Sequence, residues 1–211
     1  MLKKLVSLGF ALLLPLLAMP LLAQEFVEGE HYTKLPQEVR TQDPAKVEVV
    51  EVFGYWCPHC NDFERYLEPW KQKQPDSVDF KHMPVVFRPN QTEFAKAFYL
   101  SQALNVEHET HPALFSLIHQ QRGWINNKEQ LATFFTDFGV NNADFNRAYG
   151  SFRINSQLNL AKKKAKEYRI SGVPSMIVNG KYLVNAETAG SQKGMLEVVD
   201  YLVAKEHLRL K

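Results

Sequence analysis

The two cysteines of this chain, Cys57 and Cys60, share one tetrapeptide, Cys57-Pro58-His59-Cys60, where the local pattern switches from strand to helix. Upstream, Lys46 to Phe53 reads KVEVVEVF, a β-branched and apolar run that predicts a strand. Its two faces, Val47, Val49, Glu51, Phe53 and Glu48, Val50, Val52, are both largely apolar, which suggests the middle of a sheet covered by helices. Downstream, Phe63, Tyr66, Leu67 and Trp70 recur at helical spacing, so Cys57 to about Lys73 predicts a helix, kinked at Pro69. Gly54-Tyr55-Trp56 links the two. The dithiol therefore opens a helix that leaves a buried strand.

The remaining pattern is asymmetric. Val78 to Val86 predicts a second strand. Thr92–Leu104, Pro112–Gln121, Lys128–Phe138, Ala143–Tyr149 and Ser156–Tyr168 are helical candidates, with no strand signal between about Pro89 and Arg169. Asn127 with Gln130 resembles a capping box, and Gly139 stops the helix that follows it. Strand character returns at Ser175–Val178, and Asn179-Gly180 signals a type I′ hairpin with Lys181–Asn185. An amphipathic helix from about Gln192 to Leu208 closes the chain, and Gln24–Asp43 reads as a polar N-terminal arm. The order is that of one α/β domain split by a helical insertion.

Residues 1–23 carry Lys3 and Lys4, then an apolar run broken by Pro15 and Pro20, ending at Ala23. This reads as a secretory signal peptide, too short and too interrupted for a bilayer span. The chain has 25 Lys and Arg against 23 Asp and Glu, and the excess of two lies entirely in that leader. The rest is neutral, which gives no support for a nucleic-acid or anionic-membrane partner.

Several chemistries are open to a Cys-Pro-His-Cys segment. A purely structural disulfide closing so small a loop contributes only about 2 kcal/mol. A structural zinc site needs four ligands, and the seven histidines supply no H-x3–5-H pair to join the cysteines. Covalent c-type haem needs His after the second cysteine, where this chain has Asn61. A redox dithiol fits best. Cys57 sits where free backbone N–H groups and the helix dipole favour an anion, and a thiolate is the species that attacks or leaves. Pro58 suits a first helical turn, His59 can donate or carry charge toward the Cys57 sulfur, and Cys60, one turn inside, is placed to resolve. Stabilising the thiolate stabilises the reduced pair. One pKa unit is about 1.4 kcal/mol, or about 30 mV for a two-electron couple.

Strand, aromatic link, CPHC and kinked helix, followed far downstream by Gly172-Val173-Pro174 before a strand, resemble the thioredoxin superfamily. Val before that proline, the helical insertion and the export signal together resemble the DsbA-type periplasmic thiol:disulfide oxidoreductases, over essentially the whole chain after residue 23. The resemblance implies a thioredoxin-like α/β fold with an inserted all-helical domain. Residues 24–86 and 166–211 would form the thioredoxin-like domain and 87–165 the insertion. It implies a dithiol oxidase that donates its Cys57–Cys60 disulfide to newly exported proteins, with the mixed disulfide on Cys57 and Cys60 resolving it. Pro174 would be cis, and the Val173 backbone would pair with an extended substrate. Glu51, which interrupts an apolar strand face, and Lys81 match the positions of a buried acid–base pair that would tune the dithiol. The resemblance further implies a periplasmic monomer without metal, nucleotide or flavin, reoxidised by a DsbB-like quinone-linked membrane oxidase. The alternatives on the same fold are a disulfide isomerase or reductase and a peptide-binding chaperone. Val173 and the lack of a spare dimerisation segment speak against an isomerase. Gly54-Tyr55-Trp56 stands where the best-known pattern has a Ser-Phe-Phe type run, a departure that touches partner docking rather than the chemistry.

Overall fold

The computed structural model describes residues 25–210, so the expected signal peptide lies outside the described residues. Among the described residues, five strands and seven α-helices follow one another. The first half holds β1 (Thr33–Lys34), β2 (Val47–Phe53), α1 (Pro58–Lys71) and β3 (Val78–Pro84). The helices α2 (Thr92–Ala103), α3 (Glu107–His119), α4 (Lys128–Thr136), α5 (Asn142–Tyr149) and α6 (Phe152–Glu167) come next. The chain closes with β4 (Ser175–Val178), β5 (Tyr182–Asn185) and α7 (Gln192–His207). Among the described residues no helix is long and apolar enough to cross a membrane.

The strands form one sheet in the order β1-β5-β4-β2-β3. β2 runs parallel to β3, with Glu51 beside His82, and antiparallel to β4, with Glu51 beside Met176. All seven β2 side chains are buried, as its two apolar faces require. One cluster of core residues joins Val47 and Val49 to Phe63, Leu67 and Trp70 of α1 and to Met195, Val199 and Leu202 of α7. The other joins Val50 and Val52 to the helical block through Phe98, Leu114, Phe135 and Leu158. Burying each such side chain contributes roughly 1.5–3 kcal/mol before the entropy of ordering it. α2, buried along most of its length, packs against α3, α4, α5 and α6 and is the hub of that block.

Several helices depart from the sequence expectation for local reasons. α3 begins at Glu107 rather than Pro112, so the proline sits inside the helix. The polar stretch Glu107–His111 hides a buried anchor: Thr110 donates to Ser101 Oγ at 2.7 Å. α6 starts at Phe152, four residues early, because Ser151 caps it by accepting from the Ile154 N–H. A boundary after residue 165 falls within α6, so that helix is continuous across the proposed division. Asn127 caps α4 by accepting from the Gln130 N–H at 2.9 Å, while Gln130 reaches back to the Asn126 N–H at 2.8 Å.

The N-terminal arm is more structured than its polarity suggests. Phe26, Tyr32 and Leu35 are buried, and β1 adds an antiparallel edge to β5. The arm docks on the hairpin turn, where Leu35 N–H donates to Lys181 O at 2.7 Å and Val39 N–H to Gly180 O at 2.9 Å. Asn179 and Gly180 have φ of +50° and +62°, and Lys181 N–H donates to Val178 O, as a type I′ turn requires. A Cβ at Gly180 would lie 1.9 Å from Val39 O. Gly139 also has positive φ, but a Cβ there would meet nothing within 4 Å. Gly180→Ala is therefore expected to cost roughly 2–4 kcal/mol, because strain and a backbone clash add. Gly139→Ala should cost only about 1 kcal/mol. Urea unfolding of both variants checks the difference; equal losses would contradict the docking of the arm on the turn.

Candidate active site

The segment between β2 and α1 is tightly held. Cys57 N–H donates to Gly54 O at 2.9 Å, closing a turn. His119 Nε2 donates to Tyr55 O at 2.7 Å, tying the turn to α3. A Cβ at residue 54 would lie 2.6 Å from the Trp56 ring, so the indole folds back over Gly54 and needs a glycine there. Tyr55 is a core residue, 1% exposed, with its hydroxyl 2.7 Å from His111 Nδ1. Trp56 is only half-buried and meets Phe87, which is 46% exposed, edge to face. The aromatic link thus divides into one packing residue and one surface residue, and Phe87 joins the latter without any sequence signal.

Cys57 is the N-cap of α1, and both thiols are unpaired in this structure. Its Sγ accepts from Cys60 N–H at 3.3 Å. The Cys57 thiol is pulled down to about 7, first by the hydrogen bond from the Cys60 side chain and then, against the opposing cost of burial, by the backbone N–H groups of Cys60 and His59. The charge of His59 adds to the same effect. Cys60 behaves oppositely. It is fully buried, and burial first, then its hydrogen bond to Cys57 and the nearby Glu51 carboxyl, push its thiol well above the ordinary value. Two thiols three residues apart are therefore split into an anion-forming sulfur and a proton-holding one, because one lies at a helix end and the other one turn inside.

The Val173–Pro174 peptide is cis. Pro174 is buried, Val173 is half-buried, and Val173 O lies 3.4 Å from Cys57 Sγ, so the β4 end approaches the reactive sulfur directly. Pro58 and His59 are exposed on the rim. Gln192 at the start of α7 donates to His59 O at 2.6 Å. A cavity of about 470 Å³ beside the dithiol includes His59, Asp62, Gly172, Val173, Pro174 and Gln192 in its lining.

The expected pairing of Glu51 with Lys81 does not occur. Register decides this: β2 and β3 set Glu51 beside His82 and Val50 beside Lys81. Successive side chains on a strand point to opposite faces. Lys81 therefore turns away from Glu51 and bonds Glu48 at 2.6 Å, Asp79 at 2.8 Å and Gln42 at 2.9 Å. Although its partial burial opposes this, the bonds to Asp79 and Glu48 hold the Lys81 ammonium above its usual value. Lys164, from the basic tract of α6, adds a more distant contact to Glu48 at 3.6 Å, while Lys162 and Lys163 are exposed.

The partner of Glu51 is His82, whose Nδ1 lies 2.7 Å from Glu51 Oε2. Burial, reinforced by the carboxylate of Glu64, raises Glu51 well above the usual carboxylate range. Burial also lowers His82, with His111 and Lys71 acting in the same direction. Both displacements disfavour charge, so burial favours a hydrogen-bonded pair over an ion pair. Lys71 Nζ lies 3.1 Å from His82 Nε2, which must accept, so the imidazole proton sits on Nδ1 and faces Glu51. Glu51 Oε1 has no partner and is buried.

These elements define a thioredoxin-like fold with a redox-capable dithiol at a helix N-terminus and a cis-proline strand beside it. The family profile described as a DSBA-like thioredoxin domain matches residues 48–193. The chain is 40% identical over 178 residues to the thiol:disulfide interchange protein DsbA of Azotobacter vinelandii, covering 84% of this chain and 83% of that one. The crystal structure of Pseudomonas aeruginosa DsbA superimposes with a TM-score of 0.83 at 37% identity, over 87% of this chain and 96% of that one. That of the oxidoreductase DsbA from Xylella fastidiosa gives 0.80 at 32% identity, over 86% and 98%. The chain belongs to the DsbA-like thioredoxin family, and its catalytic class is that of a thiol:disulfide oxidoreductase.

The thiol asymmetry sets a pH dependence. Cys57 in the folded reduced protein is depressed from an ordinary 9.0 to about 7. A depressed anionic group stabilises the fold fully above its unfolded value and loses that contribution as pH falls through the folded one. The stability of the reduced form relative to the disulfide form should therefore be greatest above pH 9 and decline as pH falls through about 7. The ultraviolet absorbance of the thiolate should titrate with a midpoint near 7, moved upward in His59→Ala. A midpoint above 8.5 in the unaltered protein, the value of an unperturbed thiol, would contradict the N-cap account.

Proposed function

We propose that this chain is a periplasmic dithiol oxidase that transfers its Cys57–Cys60 disulfide to newly exported proteins. The observation that carries this reading is the opposite displacement of the two thiols, Cys57 downward to about 7 and Cys60 well upward. A substrate thiolate attacks Cys57 Sγ, the intramolecular S–S bond breaks, and Cys60 leaves carrying the electron pair. Cys60 takes up a proton as it leaves, since burial opposes its thiolate, and the neutral carboxyl of Glu51 is the buried acid at hand. A second substrate thiolate then attacks the substrate sulfur of the mixed disulfide and expels Cys57 as a thiolate. That leaving group is good because its pKa is low. The substrate is oxidised by two electrons and the enzyme dithiol holds them.

The exposed backbone at Ser171–Gly172 and half-buried Val173 support docking of an extended substrate strand beside Cys57, with Pro58 and His59 on the opposite rim. Trp56 and Phe87 offer an apolar patch to an unfolded partner. The return of the dithiol to the disulfide falls to a DsbB-like quinone-linked membrane oxidase, and the protein works as a monomer.

Trapping distinguishes this from an isomerase or a chaperone. Cys60→Ser, mixed with a peptide carrying two cysteines as the activated mixed disulfide on Cys57, should release the oxidised cyclic peptide in one turnover. Cys57→Ser should abolish oxidation of the reduced peptide. Retained activity of Cys57→Ser on unfolded protein, with no peptide oxidation by the unaltered disulfide form, would favour the chaperone. Faster repair of a scrambled substrate than oxidation of a reduced one would favour the isomerase.

A further inference from the structure

Between α1 and α3, on the far side of His82 from Glu51, three side chains converge, of which the dithiol chemistry uses only the Nδ1 side of His82. Glu64 from α1, His82 from β3 and His111 from α3 each bring one ligand atom within 4.8 Å of the other two. Glu64 Oε1 and His111 Nε2 are 3.5 Å apart. Both atoms are buried and neither has a hydrogen-bond partner. His111 is only 8% exposed. A buried polar atom left unpaired is costly, about 1–3 kcal/mol each. A proton on His111 Nε2 would join the two atoms as a long ion pair; a cation bound between them would serve both and draw in His82 Nε2 as well.

The surroundings are those a metal site needs. Each imidazole is already gripped by its other nitrogen: His82 Nδ1 by the carboxyl of Glu51 at 2.7 Å, and His111 Nδ1 by the Tyr55 hydroxyl at 2.7 Å. Such outer contacts hold each ring in place, and with the proton on Nδ1 they leave Nε2 free to ligate, as around ligating histidines. The two rings are tilted at 45° with centroids 4.9 Å apart. The residues front a cavity of about 520 Å³ that also carries Glu68 and Glu107, giving a route of access and an excess of negative charge. One cation stands there: Lys71, whose Nζ lies 2.5 Å from Glu68 Oε1 and 3.1 Å from His82 Nε2. Its ammonium occupies the place of a cation against His82.

We propose that Glu64, His82 and His111 form a Zn2+ site, with Lys71 as the internal cation that competes for it. Two imidazole nitrogens, one carboxylate oxygen and an open fourth position for water suit tetrahedral zinc. Tetrahedral bonds of about 2.0–2.2 Å set ligand atoms about 3.3–3.5 Å apart. The Glu64–His111 edge already has that length, at 3.5 Å. The other ligand-atom edges are no longer than 4.8 Å, so modest side-chain movement on three separate elements brings the donors together.

The test uses the disulfide form of the protein, in which Cys57 and Cys60 cannot ligate a metal. Calorimetric titration with Zn2+ should show one saturable site per chain. Glu64→Gln, which keeps shape and loses charge, should weaken it at least tenfold. Lys71→Met should tighten it at least tenfold, a gain that damage to the fold cannot mimic. Co2+ in place of zinc should give the visible absorption of a four-coordinate ion in the unaltered protein and lose it in His111→Gln. Absence of saturable uptake by the unaltered disulfide form would overturn the proposal, as would Glu64→Gln binding within twofold of it.

Discussion

A sulfur standing in for an N-capping oxygen is the contact on which the site depends. Helix α1 begins with backbone N–H groups that have no intrahelical acceptor. In most helices Ser, Thr, Asp or Asn supplies one; here Cys57 Sγ accepts from Cys60 N–H at 3.3 Å. The need of the helix for an acceptor and the need of the sulfur for a counter-charge are met by the same bond. The thiolate is then favoured, and its partner, one turn deeper in the core, is disfavoured by burial. Everything around the motif holds this arrangement in place: the Gly54 turn, the His119 bond to Tyr55 O and the approach of Val173 O from β4.

The sheet determines what lies behind the dithiol. β2 is buried on both faces, so a carboxyl at Glu51 meets no water and holds its proton well above the usual carboxylate range. The parallel pairing with β3 supplies a neutral histidine rather than a lysine as its neighbour. That substitution of partner matters chemically. A buried ammonium would hold Glu51 as a carboxylate and raise Cys60 further; an imidazole held toward its neutral form does not, which suits the proton transfer to Cys60 proposed above. The helical block reaches this region through α3, whose His111 and His119 both contact Tyr55. The insertion is thus part of the wall of the site as well as its cover.

Much of this was legible in the residues themselves. The apolar double face of Lys46–Phe53, the helical spacing of Phe63, Leu67 and Trp70, and the Asn179-Gly180 turn are local patterns, and the structure realises each of them. What was not legible depends on register between segments. Lys81 and His82 are adjacent in sequence, and only the β2–β3 pairing decides which of them faces Glu51. The bond between Tyr55 and His111 spans 56 residues, and the docking of the N-terminal arm rests on a two-residue strand whose sequence, Thr33-Lys34, carries no strand signal. Phe87 lies beside Trp56 because β3 ends at Pro84, earlier than its apolar run, and frees the residues after it to turn toward the motif.

The central claim is that the helix-end stabilisation of Cys57 makes the disulfide of this protein a strong oxidant. Equilibration of the folded protein with glutathione redox buffers, followed by thiol trapping of Cys57 and Cys60, tests it most directly. The pair should be reduced even where the glutathione is mostly oxidised, because the thiolate favours the reduced form. A disulfide that persists in strongly reducing buffer would contradict it.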